Sequence, residues 1–129
     1  MLVLSHFKGH PMGGYGGALK QLSIGVASSY GKAYIHGAGV PENIWTSDHD
    51  SFLESMAEAE DPCLNDIGIL VSTDPIAVDQ ACIDLVYACD DPGKAHFLER
   101  IESRNGIHTI EAATELGYGT REYDLTEVM

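Results

Sequence analysis

The N-terminal part of the chain concentrates side chains that can transfer protons or hold an anion. The stretch SHFKGHPMGGYGGALK, residues 5–20, contains two histidines, two lysines and five glycines. His6 and His10 are candidate catalytic groups, because imidazole titrates near neutral pH. Lys8 and Lys20 are candidates for holding an anionic ligand. Residue type alone leaves two alternatives open for the histidines, which are metal ligation and simple hydrogen bonding within a loop.

A glycine-rich stretch leads into Lys20. Its candidate ligand-binding residues are Gly13, Gly14, Gly16 and Gly17. Glycines allow backbone N–H groups to approach a ligand closely, and in front of a helix they predict an anion site. The stretch is neither a Walker loop nor a dinucleotide motif, because Leu19 stands where the third glycine of GxGxxG would fall. The alternative is a tight turn that lets a strand and a helix pack together.

Two aspartates complete the candidate site. Asp74 precedes Pro75, and this pair predicts a helix start with a capping carboxylate followed by proline at the first helical position. We also include Asp74 among the ligand-binding candidates. Asp79 falls on the apolar face of the same helix, so we expect it either to pair with Lys8 or Lys20 or to have a raised pKa. Asp79 is therefore the third catalytic candidate.

The elements that must position these residues follow from hydrophobic patterning. We predict strands at 1–5, 33–36, 67–72 and 122–127, and helices over 17–30, 48–59, 75–89, 94–104 and 107–116. Strands separated by helices indicate a single α/β domain over residues 1–129, with a mixed or mainly parallel sheet and flanking helices. Parallel pairing of 2–5 with 67–72 would place Ser5 and Ser72 at one edge, where open α/β sheets bind ligands.

Composition narrows the classes of partner. The formal net charge of −13 disfavours binding to nucleic acid or to anionic membranes. No stretch is long and apolar enough to span a membrane, and the N-terminus lacks signal-peptide features, so we expect a cytoplasmic protein. Cys63, Cys82 and Cys89 have no spacing typical of disulfides or zinc sites, and three dispersed thiols predict that one chain holds no iron–sulfur cluster.

Three blocks of the sequence resemble a known family. They are SHFKGHPMGGYGGALKQLSIGVASSYGK, DIGILVSTDPIAVDQACIDLV and HTIEAATELGYGTREYDL. In this order they are similar to the domain-of-unknown-function family 362, whose prokaryotic members are often described as iron–sulfur centre proteins. Longer members have a segment before the first strand, and many have a ferredoxin-like insert between the first two blocks. The chain is thus expected to be a shortened member without that insert, and Gln21 replaces the usual Asn.

Two functional hypotheses follow. The first is a small anionic ligand site at the strand ends of an enzyme or redox-linked domain, with an unknown cofactor and an unknown reaction. The second is a non-catalytic remnant or assembly module that keeps only the scaffold. The apolar first strand would present an open edge or an uncovered face, so we also expect a homodimer.

Overall fold

The computed structural model describes residues 1–10, 13–36 and 63–128. Two short strands, β1 (Lys8–His10) and β2 (Gly14–Gly16), come first. The helix α1 (Ala18–Lys20) continues directly into a π-helical turn, Gln21–Gly25, and α2 (Ser29–His36) follows. The second half contains α3 (Pro75–Ala88), α4 (Lys94–Ser103) and α5 (His108–Glu115). The described part is therefore a mixed helix and strand fold.

The long helix α3 is the centre of the fold. Asp74 caps it by accepting hydrogen bonds from the backbone N–H groups of Ile76 (2.8 Å) and Ala77 (3.1 Å), and Pro75 occupies the first helical position. The helix start predicted from Asp74 and Pro75 is thus confirmed. Helix α3 packs against α1, α4 and α5, and α4 also covers the hairpin of β1 and β2.

The apolar core lies between these elements. Its buried members are Tyr15, Ile76, Ile83, Val86, Phe97, Ile101 and Ile110. Phe7 stacks at a tilt between the rings of Tyr15 and Phe97, with ring centroids 5.2 and 5.7 Å apart. Aromatic contacts of this kind add to the stabilisation that burial provides. They attach the hairpin to α4.

The sheet differs from the prediction. In the described ranges it has two strands, and these are antiparallel, with Lys8 opposite Gly16, Gly9 opposite Tyr15 and His10 opposite Gly14. The expectation of a mainly parallel sheet is wrong for this part of the chain. Residues 1–5, 67–72 and 122–127 are not strands. An apolar run specifies a strand only when a partner lies beside it. The strand pair instead forms just after the first apolar run, between Lys8–His10 and Gly14–Gly16.

The helices were predicted with mixed success. Those at 75–89, 94–104 and 107–116 correspond to α3, α4 and α5, and Gly117 follows α5 with a φ of +76°. The strand predicted at 33–36 is wrong, because these residues belong to α2. Ser28 accepts a hydrogen bond from the backbone N–H of Gly31 at 3.1 Å and so caps this helix. The helix predicted at 48–59 lies outside the described residues.

Two segments without regular secondary structure carry exposed apolar side chains. Leu2 and Leu4 are 84% and 83% exposed, and Ile69 and Val71 are 94% and 92% exposed. Soluble domains seldom leave such runs uncovered. Within the described ranges, no helix has the length and apolar character needed to cross a bilayer.

Candidate lysine site on the glycine-rich hairpin

The antiparallel hairpin brings the two candidate lysines to one place. Lys8 and Gly16 are register partners, so their side-chain positions share a face of the hairpin. Because Gly16 has no side chain, the stem of Lys20 from α1 passes over it. A Cβ added at Gly16 would lie 3.4 Å from Cδ of Lys20. Lys8 is exposed and Lys20 is half-buried beside it.

The pKa of Lys20 is affected by its burial and by the neighbouring Lys8. Burial lowers the pKa of its ammonium group, and the positive charge of Lys8 lowers the pKa further. The ion pairs seen between two described residues are His108 with Glu111 and Arg121 with Glu111, and neither includes Lys8 or Lys20. Two cations thus share one face of an acidic chain without a carboxylate of the described part in ion-pair contact.

Asp79 does not meet either lysine. Its carboxylate is 1% exposed, and it accepts hydrogen bonds from the backbone N–H groups of Ala18 (2.7 Å) and Leu19 (3.0 Å). The expected partner, Lys8 or Lys20, is therefore wrong. The first N–H groups of α1 lack partners inside the helix, and they attract a carboxylate for the same reason that they would attract a ligand anion. The chain supplies this anion itself.

Asp79 has two titratable neighbours, the buried Tyr15 and the half-buried Cys82. Burial raises its pKa above the ordinary carboxyl range, although two N–H groups donate to it, and this agrees with the predicted alternative. Burial and the Asp79 charge also raise the pKa of Cys82, to about 11. Burial, followed by the charges of Asp79 and Cys82, raises the pKa of Tyr15. The buried hydroxyl of Tyr15 has no hydrogen-bond partner among the described residues.

The histidines occupy different environments. His6 is exposed and lies in the segment before β1, which has no regular secondary structure. His10 is at the end of β1, and its Nδ1 accepts a hydrogen bond from the backbone N–H of Gly13 at 3.1 Å. An accepting Nδ1 carries no proton, so the proton of a neutral His10 is on Nε2. Their predicted role in proton transfer remains a prediction.

Asp74 accepts hydrogen bonds from backbone N–H groups with both of its carboxylate oxygens. Besides capping α3, its Oδ2 accepts a hydrogen bond from the backbone N–H of Thr120 at 2.9 Å. Burial alone would raise the pKa of Asp74, but its three backbone N–H donors outweigh that effect and hold the pKa below the usual range. Both carboxylate oxygens are thus engaged, and the predicted ligand contact of Asp74 remains a prediction.

The glycines have clear packing roles. Gly14 has a φ of +78°, and a Cβ there would lie 2.9 Å from Cα of Gly106. At Gly17 an added Cβ would meet the Asp79 carboxylate and lie 2.9 Å from a ring carbon of Phe7. Gly13 is the residue that bonds to His10. These contacts support the alternative of a tight turn, and the role of the glycines in ligand binding stays a prediction.

Cys63, Cys82 and Cys89 are free cysteines. Cys82 and Cys89 are seven residues apart along α3 and its C-cap, which corresponds to about 10 Å of helix rise. Burial raises the pKa of the Cys82 thiol, and the Cys89 thiol donates to the carbonyl of Val86. Within residues 1–10, 13–36 and 63–128, no three His, Cys, Asp or Glu side chains are arranged to hold a metal ion.

Sequence reasoning missed a polar contact surface along α3. Arg121 donates to Gln80 at 2.9 Å, and the Tyr123 hydroxyl donates to Asp84 at 2.7 Å. The hydrogen bond to Asp84 and burial raise the pKa of Tyr123 to about 12. The signal in the sequence is the spacing of Gln80 and Asp84, which stand four residues apart and therefore share one face of α3.

Comparison with known proteins adds the family. The family model described as Domain of unknown function (DUF362) matches residues 1–84. The chain belongs to the DUF362 family. The resemblance inferred from the sequence blocks is thereby confirmed, and the matched region contains every candidate residue from His6 to Asp79. No curated protein and no solved structure matches the chain.

Proposed function

We propose that this DUF362 chain binds a small oxyanion, carboxylate or phosphate, between the ammonium groups of Lys8 and Lys20. The observation that carries the proposal is the shared face of these two lysines over Gly16. Like charges at close range repel, and an anion between them would convert that repulsion into two attractions. The chain has far more acidic than basic residues and a formal net charge of −13, so two neighbouring lysines are an unusual local concentration of positive charge.

The rest of the hairpin supports the same site. Asp79 already accepts hydrogen bonds from the first amides of α1, so the ligand would contact side-chain ammonium groups and not the amides of Ala18 and Leu19. Gly16 has no side chain that would displace the stem of Lys20, and His6 lies two residues before Lys8 in an exposed position. The proposal concerns binding and involves no electron carrier.

Calorimetric titration with inorganic phosphate tests this proposal. A charge-assisted hydrogen bond contributes on the order of 1.5–3 kcal/mol, so Lys8→Gln and Lys20→Gln should each weaken binding about tenfold or more. Lys32→Gln is the matched control, since Lys32 is exposed on α2. Equal affinity in all four proteins, or no saturable binding to the parent, would contradict the proposal.

A second candidate function is assembly. The exposed side chains of Leu2, Leu4, Ile69 and Val71 favour it, because apolar segments of this kind gain free energy when another surface covers them. We propose a second copy of this chain as the partner, since symmetric pairing is the commonest form of association. Light scattering at micromolar concentration should give twice 13.9 kDa, and Ile69→Lys should shift the mass to the single-chain value. A parent mass of 13.9 kDa would refute the dimer.

A further inference from the structure

We propose that Lys20 forms a Schiff base with a small 2-oxo acid whose carboxylate is held by Lys8. This inference rests on the oxyanion site proposed above and names the class of ligand that the site would take. The stem of Lys20 lies over Gly16, and Gly16 is the register partner of Lys8. A ligand carboxylate beside Lys8 would therefore bring its adjacent carbonyl carbon towards Nζ of Lys20.

Schiff-base formation requires a neutral amine, and Lys20 is placed to supply one. A lysine becomes nucleophilic when it is desolvated or lies beside another cation. Lys20 satisfies both conditions, because it is half-buried and Lys8 is its cationic neighbour. No carboxylate of the described residues makes an ion pair with Lys20 that would hold its ammonium form.

The other lysines lack this combination. Nζ of Lys94 already donates hydrogen bonds to the backbone carbonyls of Tyr87 and Cys89. Lys32 is exposed to solvent on α2. Lys8 is exposed on β1 and retains the role of anion binder. The chain contains four lysines, so each can be followed separately.

The chemical step balances without an external oxidant or reductant. The lone pair of neutral Lys20 Nζ adds to the carbonyl carbon, and a proton moves from nitrogen to the former carbonyl oxygen. The resulting carbinolamine loses its hydroxyl group as water, with a proton from solvent, and the C=N bond forms. Lys8 holds the carboxylate throughout and neither gains nor loses a bond.

Reductive trapping tests the inference. The protein is incubated with pyruvate and cyanoborohydride, with acetone as a matched ketone that has no carboxylate, and the adducts are located by peptide mass spectrometry. Pyruvate should label Lys20 about tenfold faster than Lys32, as expected from one added charge-assisted hydrogen bond. Lys8→Gln should abolish most of the preference for pyruvate over acetone, and Lys20→Arg should remove the adduct while leaving the far-ultraviolet circular dichroism unchanged.

The outcomes separate this inference from the proposed function. If phosphate binds and slows labelling of Lys20 by pyruvate, both stand. If phosphate binds in calorimetry but pyruvate labels Lys20 and Lys32 at equal rates, the Schiff base is refuted and the oxyanion site stands. If Lys20 reacts equally fast with pyruvate and acetone and phosphate does not slow it, both are refuted.

Discussion

Replacing Asp79 with asparagine tests how the glycine-rich loop is attached to α3. The carboxylate of Asp79 is 1% exposed and receives N–H groups from Ala18 at 2.7 Å and Leu19 at 3.0 Å. An asparagine has one acceptor oxygen, so its NH₂ group must face one of these two donors. One buried backbone N–H then loses its partner. The loop and α3 would be held by a single hydrogen bond.

The expected loss of stability in Asp79→Asn depends on which groups contact the Asp79 side chain. Leaving a buried N–H group unsatisfied costs about 1–3 kcal/mol, so the free energy of unfolding should fall by that amount in Asp79→Asn. Removing one member of a buried ion pair would instead cost about 3–5 kcal/mol. The measured loss of unfolding free energy therefore distinguishes the backbone N–H partners in the structure from the lysine partner expected from the sequence.

Urea denaturation followed by circular dichroism measures this loss. Asp90→Asn is the matched control, because Asp90 is an exposed carboxylate after the end of α3, and surface substitutions usually change stability by less than about 0.5 kcal/mol. A change in Asp79→Asn no larger than in the control would refute the proposed attachment of the loop.

Three further predictions concern the same region and its surroundings. The destabilisation caused by Asp79→Asn should be larger near about pH 4 than near pH 7. The pKa of Asp79 is raised in the folded protein, so its contribution to the free energy of unfolding is full below the ordinary value of 3.8 and is lost as pH rises through the raised pKa. Equal losses at both pH values would contradict this. Gly17→Ala should cost about 1–3 kcal/mol through its clash with Asp79, whereas Gly68→Ala, which has open space around it, should be near neutral in the same urea assay. Asp84→Asn should bring the pKa of Tyr123 down from about 12 towards 10.0, and an unchanged value by NMR titration would exclude the hydrogen bond.

Local signals in the sequence predicted the helical half of the fold. Asp74 and Pro75 mark the start of α3 because capping and proline preference depend only on adjacent residues. The ends of α4 and α5 were predictable from Asn105, Gly106 and Gly117 for the same reason. These signals act within one or two turns of helix, and tertiary contacts did not override them.

The strands were less predictable, because strand formation depends on a partner. The apolar run at 67–72 resembles a buried strand, yet Ile69 and Val71 are more than nine-tenths exposed. The pattern of the short run at 33–36 fits a helix and a strand equally well. In the structure the run is helical, and Ser28 caps that helix. The hairpin of β1 and β2 lies within the glycine-rich stretch, where the hydrophobic pattern predicts no strand.

The residues of the candidate site could be predicted from the sequence, but the contacts between them could not. Lys8, Lys20 and Asp79 could be selected by residue type and position on the helix. Which of them meet depends on the register of the hairpin and on a contact between Ala18 and Asp79, 61 residues apart. A single sequence does not encode such distances in any local pattern.

The most direct test of the oxyanion site is the pKa of Lys20, measured by NMR titration of its side chain with and without inorganic phosphate. The account predicts a pKa below 10.5 in the free protein. This pKa should rise in Lys8→Gln, because a like charge is removed, and it should rise when phosphate is added to the parent, because an anion favours the ammonium form. A pKa of Lys20 at its ordinary value, unchanged by both treatments, would contradict the account.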